Sequence, residues 1–172
     1  MFNLFIMIFI WIASSFSLSL LNYNTKNISG DFFLNNLTAG IFDIPITIVG
    51  GYLYHKFGLR PILFSFFLIA FLGHIAIVIS SETNPTLVPI MLTFAKGGVK
   101  VTFDLCYLGN SFLFPSIFAG TTFGFCNAGA KLATIIAPML AEVEAPIPMI
   151  VNSILSFTGA FVSLLIKNSP IS

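Results

Sequence analysis

The chain has 172 residues, 57% of them hydrophobic with 21 Phe, and seven Lys/Arg against six Asp/Glu leave a net charge of +1. So much apolar surface with so few charges excludes an ordinary soluble domain, and so small a net charge gives nucleic acid no electrostatic purchase. Two cysteines, Cys106 and Cys126, are too sparse for a disulfide framework and lack metal-ligand spacing, so they read as small buried hydrophobes.

Six apolar segments follow one another along the chain, each near the ~20 residues that cross a bilayer. The first, about 2–21, contains Trp11. No basic stretch precedes it and its apolar run exceeds that of a signal peptide, so it reads as a retained span. A polar link from Asn22 to Asp31 leads to the second span, about 32–54, and then to spans at about 61–80, 87–108, 114–139 and 146–166. The links are short, which favours antiparallel neighbours in one bundle. The expected fold is therefore all-α: a polytopic integral membrane protein with six transmembrane helices, in a single domain over residues 1–172.

Basic residues set the expected topology. His55-Lys56-Phe57-Gly58-Leu59-Arg60 joins spans two and three, and Lys167 follows span six. Asp31, Glu82, Glu142 and Glu144 fall on the other side, with Lys26 as its basic residue. Both termini are thus expected in the cytoplasm, of a protein in the plasma membrane or an internal one. Asn27-Ile28-Ser29 is a glycosylation sequon on the outer side; Asn36-Leu37-Thr38 also matches but lies inside span two and is discounted.

Five charged residues lie within the spans: Asp43, Lys96, Lys100, Asp104 and Lys131. A charge at the bilayer centre costs ~2.5–3.5 kcal/mol on insertion scales, so such groups face a cavity or a partner. Lys100 and Asp104 are four apart on one helix face and can pair. Two readings stay open: an ion pair that is purely structural, or a face on a translocation cavity where Asp104 couples to a proton or a cationic substrate group. Lys96 lies one turn earlier on the same face, with snorkelling as its alternative. Lys131 sits between Ala128-Gly129-Ala130 and Leu132-Ala133, whose small side chains allow close helix approach or leave room for a ligand. Its alternative is a salt bridge to Asp104 or to a group outside these six spans. Asp43 lacks a partner within one turn, and His74 reads as a packing residue. Pro45, Pro89, Pro115 and Pro138, with Gly50-Gly51 and Gly97-Gly98, mark places where helices kink or break, as carrier helices do at a midplane site.

Several segments resemble, in order, those of one family. Tyr54-His55-Lys56-Phe57-Gly58-Leu59-Arg60-Pro61 resembles the cytoplasmic Asp-Arg-x-Gly-Arg-Arg-Pro turn of the major facilitator superfamily, in its organic ion (cation/anion/carnitine) transporter branch. Leu21 to Asp31 is similar to the family's Leu-x-x-Asn-Thr-x-Asn-x-x-Gly-Asp stretch, and Asp43-Ile44-Pro45 to its Glu-Ile-Pro. Lys96-Gly97 with Phe103-Asp104, then Leu113-Phe114-Pro115-Ser116, then Ala130-Lys131 with Ala137-Pro138, resemble its later motifs in the same order. The resemblance covers nearly the whole chain as the C-terminal six-helix half of a twelve-span carrier. Phe112 and Ala119 stand where the family carries Glu and Arg of its cytoplasmic gate.

The resemblance implies a secondary transporter, or half of one, moving small organic ions by alternating access. It implies a substrate-binding role for Lys131 and a cytoplasmic loop motif at Lys56, Gly58 and Arg60; Asp104, Lys100, Asp43 and Lys96 are expected as substrate-binding or coupling residues from their charge within the spans. The family tends to have Arg at the position of Lys131 in anion and carnitine carriers and Asp in cation carriers, which implies an anionic or zwitterionic substrate. The implied partners are the lipid bilayer, the organic ion, and an N-terminal six-helix half or a second copy of the chain. No cofactor, metal or nucleic acid is expected. Three alternatives stand beside this reading: a channel lined by the charged face of span four, a non-transporting structural subunit, and an inactive carrier fragment. An enzyme is not expected, since neither H-E-x-x-H nor G-x-S-x-G occurs.

Overall fold

The structure is a computed structural model that describes residues 2–27, 32–83 and 87–167. Asp31 and the Ile28 and Ser29 positions of the sequon lie outside the described residues, as does the side chain of Glu82. The described chain forms seven α-helices and no strand: α1 (Phe2–Asn24), α2 (Phe32–Phe57), α3 (Leu59–Thr83), α4 (Val88–Leu113), α5 (Ser116–Thr134), α6 (Ala137–Ala141) and α7 (Ile147–Leu164). A 3-10 turn, Thr25–Asn27, extends α1.

The punctuation is chemical. Gly58, the described residue with positive φ (84°), separates α2 from α3, and its N–H donates to the Tyr54 carbonyl at 2.8 Å. That left-handed conformation is the one glycine adopts without a Cβ clash. Proline opens α4 at Pro89 and precedes α5 at Pro115, positions where a missing N–H costs nothing. The fifth expected span falls on two helices. Pro138 has no N–H to offer the Thr134 carbonyl, and α5 ends at Thr134, with Ile135 and Ile136 in a turn before α6. Pro45 instead lies inside a continuous α2.

Helices α1, α4, α3 and α7 close a four-membered ring of mutual contacts; α2 flanks it against α4, and α5 with α6 flanks it against α1. Met7, Ile10, Trp11, Leu63, Phe67 and Leu105 fill the centre and are buried. Small residues let α3 and α4 touch through backbone: a Cβ on Gly98 would lie 2.7 Å from the Phe66 carbonyl oxygen, and one on Gly73 would lie 2.7 Å from the Ala95 nitrogen. The flanking helices differ sharply from the ring. Over their apolar stretches α1 buries 56% of residues and α2 6%, so α2 packs on the ring along one side and leaves most of its residues exposed.

Among the described residues, five segments are long and apolar enough to cross a membrane: Phe2–Asn27, Phe32–Phe57, Leu59–Ser80, Ser116–Ala141 and Ile147–Leu164. Helix α4 has the length, 26 residues, and carries Lys96, Lys100 and Asp104. The two ends of the bundle are tied separately. At one, the Asn3 amide donates to the Lys167 carbonyl at 2.8 Å and the Lys167 N–H donates back to Asn3 Oδ1 at 3.0 Å. Gly109 packs there against Leu59 and Met7, so the α2–α3 turn shares that end. At the other end Lys26 Nζ meets Glu142 Oε1 at 2.6 Å, and Asn27 Nδ2 donates to the Ala141 carbonyl at 2.7 Å.

Candidate functional site

Lys96, Lys100 and Asp104 recur every four residues on α4, and Asp43 and Thr47 are four apart on α2. Each set therefore forms a stripe on its own helix, and the packing of α2 on α4 brings the two stripes together. Glycines on both allow the approach: a Cβ on Gly50 would stand 2.5 Å from Val101 Cγ1, and one on Gly97 would meet Ile46 Cδ1.

Lys100 Nζ lies 2.6 Å from both carboxylate oxygens of Asp104. Thr47 Oγ1 donates to Asp104 Oδ2 at 3.3 Å from across the interface. The Lys100 and Asp104 side chains are each 30% exposed, so the pair is neither sealed nor fully wet. Asp43 and Lys96 are half-buried one turn further along the same interface, and the Asp43 carboxylate lies in the electrostatic field of Lys96, Lys100 and Asp104. Asp43 makes no ion pair among the described residues; the charges that act on it stand on the neighbouring helix α4. Two ammonium and two carboxylate groups thus share one interface, which is electrically balanced overall.

An aromatic cluster adjoins this charge. Tyr107, one turn beyond Asp104, packs 4.8 Å from Trp11 of α1, 5.6 Å from Phe123 of α5 and 5.2 Å from Phe103, ring centre to ring centre. Trp11 and Phe123 meet edge to face at 5.3 Å. Tyr107 is 38% exposed and lies in the field of Asp104 and Lys100, so π-faces and a carboxylate border the same open side. Sequence reasoning missed Thr47, Tyr107 and Phe123. The usable signal was spacing, since Thr47 follows Asp43 by four and Tyr107 follows Asp104 by three.

Lys131 stands apart from the pair. It is exposed in the last turn of α5 and lines a groove of about 740 Å³ with Ser19 and Tyr23 of α1 and Pro138 of α6. No ion pair joins it to Asp104 among the described residues. The α4–α5 register is set below it, where Thr122 Oγ1 donates to Asn110 Oδ1 and Asn110 Nδ2 to the Ala119 carbonyl, both at 2.9 Å. Following α5 upward from Phe123, opposite Tyr107, brings Lys131 to roughly the depth of Lys100 at 1.5 Å per residue.

His74 is fully buried, with Nδ1 3.4 Å from Ser156 Oγ and Nε2 unpartnered. Cys106 and Cys126 are buried free thiols, and Cys106 Sγ donates to the Thr102 carbonyl at 3.2 Å. Of the loop motif, Gly58 makes the turn, Lys56 Nζ lies 5.4 Å from the Phe57 ring, and Arg60 lines a separate cavity at that end. Among the described residues no cluster of His, Cys, Asp or Glu is arranged to hold a metal.

Fold and composition define an all-α polytopic membrane protein with ionisable groups between its helices. Its homologues are organic cation transporters and members of solute carrier family 22, consistent with the organic ion transporter branch of the major facilitator superfamily. The chain is 26% identical over 162 residues to an organic cation transporter-like protein of Drosophila melanogaster, covering 92% of this chain and 29% of that protein. It is 25% identical over 158 residues to solute carrier family 22 member 16 of Xenopus laevis, covering 90% and 28%. To the organic cation/carnitine transporter 2 of Homo sapiens it is 22% identical over 168 residues, covering 94% and 30%. The chain thus spans under a third of the length of these curated relatives. No family model matches it.

Proposed function

We propose that this chain is one six-span body of a secondary transporter for small organic ions, working by alternating access and catalysing no covalent chemistry. The observation that carries the proposal is the Lys100–Asp104 pair, held with Thr47 at a half-open helix interface inside an apolar bundle whose homologues are transporters. Groups so costly to place amid lipid persist where water and solute reach them. The outward faces of α2 and α5, which this bundle leaves uncovered, suit a second six-helix body across the crevice: an N-terminal half or another copy of the chain. The basic α2–α3 turn at the end shared with Asn3 and Lys167 supports cytoplasmic placement of that end.

The substrate class we favour is zwitterionic. Asp104 beside Tyr107, whose ring is backed by Phe123, offers a carboxylate and a π-face to a cationic group, and Lys131 at similar depth offers an ammonium to a carboxylate. The relatives' names, organic cation and organic cation/carnitine transporter, support the cationic end; they lend nothing to a substrate that is purely anionic. Uptake into vesicles bearing the chain tests this, with labelled zwitterionic, cationic and anionic probes. Saturable zwitterion uptake is expected, reduced in Lys131→Ala and turned toward cations in Lys131→Asp. Non-saturating ion conductance would point to a channel instead, and indifference of rate and preference to both changes would remove Lys131 from the site.

A further inference from the structure

Arg60 is in an unusual position for a guanidinium. Its Nε is buried without a hydrogen-bond partner, and Arg60 enters no ion pair among the described residues. A guanidinium carries five N–H donors in a planar fork and cannot shed its charge. Burying part of it with no acceptor is unfavourable unless an anion arrives. It lines a cavity of about 350 Å³ at the α2–α3 turn, together with Tyr54, His55 and, from α4, Phe112. Against the ~30 Å³ of one liquid water, that is room for a tetrahedral anion and the group attached to it.

The lining holds donors and no acid. Tyr54 supplies a hydroxyl and His55 an imidazole, with Lys56 following in the chain, while neither Asp nor Glu is among the lining residues. Phe112 brings an apolar wall. The cavity is also distant from the charged α2–α4 interface: Asp43 and Thr47 lie on α2 three and two turns before Tyr54, and Lys100 and Asp104 three and two turns before Phe112. We infer that this cavity is a second binding site, one that takes a phosphate group on the Arg60 fork with Tyr54 and His55 as further donors. The α2–α3 turn ends two spans at the rim of the bundle, the depth of lipid headgroups, so a phospholipid phosphate and free phosphate are the two sources of that chemistry.

The test uses the full chain purified in detergent. Native mass spectrometry follows retention of phosphatidic acid against diacylglycerol with the same tails, and ³¹P NMR line broadening follows inorganic phosphate. Phosphatidic acid is expected to be retained preferentially, and Arg60→Gln to weaken retention about tenfold or more, as loss of charge-assisted hydrogen bonds does. Arg60→Lys should recover part of the binding without the bidentate fork, and Lys167→Gln, at the same end but outside the cavity, should leave it unchanged. Displacement of the lipid by inorganic phosphate identifies a lipid site reading the phosphate. Broadening of phosphate that is lost in Arg60→Gln, with no preference for phosphatidic acid, identifies a free-phosphate site. If Arg60→Gln is not recovered folded, Tyr54→Phe and Arg60→Lys carry the measurement. Equal retention by wild type and the folded variants, or binding of neither probe because another chain's carboxylate covers Arg60, overturns the inference.

Discussion

Lys100 and Asp104 illustrate how one ion pair serves two masters. An exposed pair contributes ~0–1 kcal/mol, whereas removing one partner of a buried pair costs ~3–5 kcal/mol by stranding the other charge. With both side chains 30% exposed, Asp104→Asn should destabilise the fold by an amount between those limits, read as a fall in melting temperature in detergent. The double change Lys100→Met with Asp104→Leu removes the stranded charge as well and should recover most of the stability, because a pair and its apolar replacement are often close in energy. Uptake is expected to stay lost in that double variant. Were uptake to return with stability, the pair would be structural and nothing more. Thr47 belongs to the same unit: its hydroxyl ties α2 to the carboxylate, so Thr47→Val should weaken transport more than stability.

Helix packing separates glycines that look alike in sequence. At Gly98 an added Cβ would press on backbone, 2.7 Å from the Phe66 oxygen and 2.8 Å from the Ala70 nitrogen, so α3 and α4 must part. At its neighbour Gly97 the obstacle is the terminal methyl of Ile46, which can rotate away. Gly98→Ala should therefore cost roughly 1–3 kcal/mol as overpacking does, and Gly97→Ala clearly less, by thermal melting of the two variants side by side. The sequence carried much of this architecture. Glycine with basic neighbours announced the α2–α3 turn, and Pro138 marked the break that ends α5. It did not carry adjacency. Helices apolar on every side have no stripe to show which face meets which neighbour, so the approach of Asp43 to the charges of α4 and the separation of Lys131 from Asp104 are set by packing that the sequence does not display. The polar joint of Asn110 with Thr122 and Ala119 was equally silent, each residue being unremarkable alone.

Taken together, the bundle is a ring of four helices with two flanks left open, tied at opposite ends by different means. The Asn3–Lys167 bonds close one end; Lys26 and Glu142, 53% and 67% exposed, meet at the other. An ion pair so wet should matter little, and Glu142→Gln is expected to move stability by no more than ~1 kcal/mol, less still at high salt. The uncovered flanks matter more. Helix α2 buries 6% of its apolar stretch here and α5 with α6 17%, while the charged groups lie along those same two flanks. A transporter reading accounts for both facts, with lipid or a second body on the apolar outer surface and water on the charged inner one.

Solvent access to that inner surface is the most direct test. In a background lacking Cys106 and Cys126, single cysteines at Thr47, Asp104 and Lys131 are treated in sealed vesicles with a membrane-impermeant thiol reagent, applied from each side in turn, with Phe67 as the buried control. The three crevice positions should be modified from at least one aqueous phase, and modification should slow when a zwitterionic substrate is present. If all three stay as unreactive as position 67 from both sides, the charges are sealed in dry protein and the chain is not a carrier.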